Sequence, residues 1–119
     1  MTNPKRPPLF STSYQVAKDD VLLTVVIGEQ QLGSSIVWLD DNVLKEGDVD
    51  KLKVGKGSAL VGHRVTIKTV VTDTNDMTDR TSTTIILEGG TAPAEHTLSV
   101  DVDENGDSAI YRSKVEFTS

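Results

Sequence analysis

The sequence predicts an all-β protein: an antiparallel two-sheet β-sandwich of seven or eight strands, Greek-key/jelly-roll or immunoglobulin-like, with little or no helix. Three observations predict it. Apolar residues recur mostly with period two, β-branched residues and Thr are abundant, and Gly, Asn and Asp clusters punctuate the chain about every ten residues. One sheet of such strands would leave an apolar face uncovered, so two sheets are expected to pack together. A chain of 119 residues suits a single domain with its own core.

Taken in order, residues 1–8 hold three of the four prolines and are expected to form a flexible tail, with residues 9–119 forming the domain. Candidate strands are Phe10 to Val16, Val21 to Ile27, Ser35 to Leu39, a weak one at Val49 to Val54, Val61 to Val71, Thr81 to Leu87, His96 to Val102 and Ser108 to Phe117. The stretch Asn42 to Leu52 contains Gly47 and lacks a sustained 3.6-residue period, so at most a turn or two of helix is expected there. Gly55 to Gly62 lacks the spacing of a phosphate cradle and reads as a flexible loop. In Ile36-Val-Trp-Leu39, the alternation assigns Trp38 to the core face with Ile36, against the alternative of a ligand-stacking platform.

The most specific stretch is Leu98 to Tyr111. Asn105-Gly106 suits the two positive-φ positions of a type I′ hairpin turn. Pairing Glu104 with Asp107 would set Val102 opposite Ala109 and Val100 opposite Tyr111, with Ser113, Val115 and Phe117 continuing the core face. On the other face Asp101 would then meet Arg112. The same residues also suit a cation, because Asp101, Asp103, Asn105 and Asp107 place oxygen ligands at every second position. The twelfth position from Asp101 is Arg112, which removes the helix-loop-helix calcium family in its usual form.

If the strands run up and down, the loop at 73–79 emerges beside the turn at 104–107. The candidate metal ligands are therefore Asp73, Asp76, Asp79, Asp101, Asp103 and Asp107, with calcium as the expected ion. Residues 51–68 carry Lys51, Lys53, Lys56, Arg64 and Lys68 and no acid, so charge is segregated along the chain.

The run Asp107-Ser-Ala-Ile-Tyr-Arg-Ser113 resembles the Asp-x-Ala-x-Tyr-x-Cys signature of immunoglobulin variable-type domains. The resemblance implies a tyrosine corner at Tyr111, a core Trp at Trp38, and Val26 and Ser113 where that family has its bridging cysteines. Both cysteine positions depart from the pattern, and the chain stops at Ser119, short of that family's final strand. The likeness supports the architecture and not membership.

Composition narrows function. With no Cys, there is neither a disulfide nor a thiolate site. A net charge of −6 argues against nucleic acid, whose phosphates need Lys and Arg. The charged N-terminus leads into no apolar signal region, and the longest apolar run, Val21 to Ile27, is too short to span a bilayer, so a soluble chain is expected. His63 and His96 are the only neutral-pH acid-base groups, and an enzyme would need one of them in a pocket beside a Ser or Asp. The expected function is a non-catalytic structural or protein-interaction module, with self-association or a protein partner and no cofactor. The alternative is a calcium-dependent module for lipid head groups or carbohydrate, using the acidic loops.

Overall fold

The computed structural model describes residues 4–119. Among them are nine strands and one helical turn: β1 (Phe10–Gln15), β2 (Asp20–Ile27), β3 (Leu32–Leu39), β4 (Asn42–Gly47), β5 (Val49–Lys56), α1 (Gly57–Leu60), β6 (Arg64–Thr72), β7 (Arg80–Glu88), β8 (Ala94–Asp101) and β9 (Ser108–Thr118). A five-stranded sheet runs β1-β9-β6-β3-β4 and a four-stranded sheet runs β5-β2-β7-β8. The fold is nearly all-β, and every strand pairing is antiparallel except that of β1 with β9.

Period-two patterning sets which side chains turn inward. Val65, Ile67, Thr69 and Val71 of β6, and Tyr111, Ser113, Val115 and Phe117 of β9, are all buried. One cluster joins Tyr14, Val37, Ile67, Val115 and Phe117 from the larger sheet to Val21, Leu23, Ile85 and Leu87 from the smaller. A second cluster gathers Val71, Val102, Ala109 and Tyr111. Each fully buried Leu or Val stabilises the fold by roughly 1.5–3 kcal/mol relative to an exposed one.

Nine strands replace the expected seven or eight because Asn42 to Leu52 forms β4 and much of β5. Its acids are tolerated since β4 is an edge strand, paired only with β3 and bulged between Val37 and Trp38, while Gly47 bends the chain at φ 107°. The stretch Gly55 to Gly62, expected to be a loop, contains α1, and Leu60 plugs the core at 2 % exposure.

Leu98 to Tyr111 is not a hairpin. β8 pairs with β7 and β9 pairs with β6, so the turn carries the chain from one sheet to the other. Asp107 N donates to Glu104 O at 3.1 Å, and Gly106 has φ 88° while Asn105 has no positive φ, so a type I′ turn is not made. Two strands facing one core from different sheets show the same alternation as two hairpin partners, which is why the pattern pointed to the wrong neighbour. The expected Asp101 to Arg112 pair is replaced by Asp101 with Arg80, its register partner on β7, at 3.5 Å.

Trp38 is also on the other side of its sheet. Ser35 and Val37 take the inward positions of β3, leaving Ile36 and Trp38 half-buried on the outer face. Val26 is exposed, and the Tyr111 hydroxyl reaches Thr81 rather than making a local tyrosine corner. The expected tail falls partly on residues 1–3, outside the described residues. Beyond them, Lys5 bridges Ala109 in parallel and accepts from Ile110 N at 2.8 Å.

Candidate functional site

The two acidic loops do meet at one end of the sheets. Asp73 N donates to Asp107 O at 2.9 Å, Gly106 N donates to Asp73 O at 2.8 Å, and Val102 N donates to Asp79 O at 3.0 Å. Asn105 Nδ2 donates to Asp76 Oδ1 at 2.8 Å, tying the loop tips together.

The organiser of this end is Gln31, a residue the sequence patterns passed over. Its side chain is 6 % exposed and its Oε1 accepts from Thr74 N at 2.7 Å and Asn75 N at 2.9 Å. Its Nε2 donates to Asp73 Oδ1 at 2.9 Å, to Arg80 O at 3.0 Å and to Thr78 O at 3.3 Å. A single amide thus replaces the ladder bonds that the irregular segment 73–79 lacks. The available signal was weak: a polar Gln beside Glu29 and Gln30, both at positive φ, in the turn before β3.

The six candidate ligands divide. Asp73 is 1 % exposed, its Oδ1 held by Gln31 and by Asn75 N at 3.3 Å, while its Oδ2 is buried without a hydrogen-bond partner. Asp79 lies within hydrogen-bonding reach of Asp73, and its carboxyl is held above the usual range, first by that contact, then by desolvation and by the charges of Asp73, Asp101 and Asp107. Asp103 turns away to Lys5 at 3.2 Å, Asp101 to Arg80, and Asp76 to Asn105. Among the described residues, no three acidic, His or Cys side chains stand together as a ligand set.

At the opposite end of β3, β6 and β9, Asp40 (φ 51°) accepts from His63 Nδ1 at 2.5 Å and from Arg64 N at 3.1 Å. The bond to His63 is the largest of the effects that lower the Asp40 carboxyl below its ordinary range. This pair borders an open depression of about 360 Å³ with Arg64, Glu116 and Thr118. Among the described residues, no hydroxyl is hydrogen-bonded to His63. His96 packs against Phe10, ring centroids 5.1 Å apart.

The basic run of the sequence is split between the sheets. Lys51, Lys53 and Lys56 lie on β5, with Lys53 paired to Asp20 at 3.4 Å, whereas Arg64 and Lys68 lie on β6. There they join Arg112 and Lys114 of β9, all on the outward alternation of the larger sheet. Register sets Ile36, Lys68 and Arg112 in one row and Trp38, Thr66 and Lys114 in the next. Lys114 reaches Glu116 at 3.5 Å, while among the described residues Lys68 and Arg112 have no carboxylate within ion-pair distance.

Among the described residues, no helix is long and apolar enough to cross a membrane. Comparison of the chain with protein-family models, with curated proteins and with solved structures finds no match.

Proposed function

We propose that the two sheets are the layers of a β-sandwich, with Greek-key, jelly-roll or immunoglobulin-like connections, and that it works as a non-catalytic structural or protein-interaction module. Its docking surface is the outer face of the five-stranded sheet, and its partner is the acidic end of another copy in a larger assembly. The observation that carries this reading is Lys68 directly opposite Arg112. Like charges at opposed positions destabilise a sheet by roughly 0.2–1 kcal/mol, and an acidic partner surface relieves that cost. Half-buried Ile36 and Trp38 beside them add the apolar and aromatic area that interface centres favour. Contact between a face and an end is heterologous, so copies would close into a ring or continue as a filament.

Sedimentation velocity at about 20 mM and about 300 mM NaCl tests it, since exposed charge contacts weaken as the Debye length shrinks. Assemblies are expected at low salt, dispersed at high salt, and lost in the Lys68→Glu, Arg112→Glu double variant. A wild-type chain that stays monomeric at low salt and high protein concentration overturns the reading.

A further inference from the structure

We propose that Asp73 and Asp79 together hold a calcium ion at the acidic end. The reason lies in the buried oxygen rather than in the number of acids nearby. Asp73 Oδ2 is shut away from solvent with no donor, although the other oxygen of the same carboxylate takes two. A desolvated carboxylate oxygen is costly unless a proton, a donor or a cation meets it. The two basic side chains paired at this end do not supply it: Lys5 is paired with Asp103 and Arg80 with Asp101. The group that does approach Asp73 is a second carboxylate, Asp79, in a field deepened by Asp101 and Asp107.

Two carboxylates within hydrogen-bonding reach of each other exist either with one shared proton or with a cation between them. Calcium suits the second state because it is a hard ion that accepts carboxylate, carbonyl and water oxygens in flexible geometry. Asp73 and Asp79 are the charged ligands, and water with main-chain oxygen completes the shell. With two carboxylates rather than four, affinity falls in the weak class, about 0.1–1 mM. Asp101 and Asp107 shape the field, and Asp76 and Asp103 turn to Asn105 and Lys5; none of the four is a ligand. This inference does not rest on self-association, and its test is run at about 150 mM NaCl, where the contacts proposed above are weakened.

Calorimetric titration and thermal melting of the full chain at pH 7, with calcium chloride or with EDTA, decide the matter. At about 10 mM calcium the melting temperature is expected to rise by roughly 6–11 °C, with heat consistent with one site. Asp79→Asn gives Asp73 an amide donor, so it is expected to melt higher than wild type in EDTA and to lose the calcium response. Asp79→Ala is expected to lose the response without that gain. Asp103→Asn is expected to keep the response. No calcium response in wild type, or a response in either Asp79 variant as large as that of wild type, overturns the proposal. So does a response reproduced by sodium chloride of matched ionic strength. A wild-type protein indifferent to calcium, whose stability falls as pH rises past the ordinary carboxylate range unless Asp79 is replaced by Asn, would assign the pair to a shared proton instead.

Discussion

The phenol of Tyr111 on β9 meets the Thr81 side chain on β7 at 2.7 Å and donates to the Thr81 carbonyl at 3.1 Å, so one side chain fastens the two sheets to each other. Thr81 Oγ1 also donates to Val100 O at 2.8 Å, drawing β8 into the same knot. Tyr111→Phe keeps the ring volume and removes the bond, and is expected to cost about 1–2 kcal/mol, or a drop of roughly 4–8 °C in Tm. A cycle with Thr81→Val measured by chemical denaturation should show coupling between the two. Burial raises the Tyr111 pKa above 10.0, so the folded state keeps this proton longer than the unfolded one. Its contribution is complete below that value and declines as pH rises through the folded value, a decline expected to be absent in Tyr111→Phe.

Gln31→Ala would strip the segment 73–79 of its only buried organiser among the described residues. Thr74 N would lose its acceptor, Asn75 N the shorter of its two, and Asp73 its amide donor. A loss of about 2–4 kcal/mol is expected. Hydrogen exchange is the more discriminating measurement: the Thr74 and Asn75 amides should lose protection while those of β6 keep theirs.

Asp40 makes the acid limb of stability steeper. Its folded-state pKa lies below the ordinary value of 3.8, chiefly through the bond to His63. The stabilisation is therefore complete above that value and vanishes as pH falls through the lowered one. Asp40→Asn tolerates the left-handed backbone and keeps an acceptor for Arg64 N, so its melting temperature should depend less on pH below about 4. Asp40→Ala should melt lower than Asp40→Asn at every pH, because alanine is strained at φ 51°.

Two glycines at positive φ separate backbone strain from crowding. A Cβ at position 89 (φ 95°) would lie 1.9 Å from the Asp20 carbonyl oxygen, whereas a Cβ at position 106 (φ 88°) meets nothing within 4 Å. Gly89→Ala is expected to cost at least about 3 kcal/mol and Gly106→Ala about 1 kcal/mol, read from urea midpoints. Equal losses would show that the clash relaxes.

Inward faces were legible in the sequence where apolar and polar residues alternate cleanly. Tyr111, Ser113, Val115 and Phe117 are a case, and all four are buried. The phase fails where four apolar residues stand in a row. In Ile36-Val-Trp-Leu39 the pattern cannot say which pair faces in, and the smaller Val37 does so while Trp38 stays outside. Strand neighbours are equally hidden, since alternation carries no address, and the stretch from Leu98 to Tyr111 shows the result. The meeting of the acidic loops was legible because it follows from strand direction alone. The hold of Gln31 on them was not, since nothing in the sequence marks the last residue of the polar run Glu29-Gln30-Gln31 as a buried hub.

The parallel pairing of β1 with β9, extended by the bridge from Lys5 to Ala109, has a kinetic consequence. The first strand has no place in a sheet until the last has been synthesised and docked on β6, so the closing contact has nearly the greatest sequence separation the chain allows. Loop closure of that length slows folding. On the ribosome, Phe10, Thr12 and Tyr14 would remain uncovered until β9 has emerged, which leaves this edge open to a strand from another molecule in the interval.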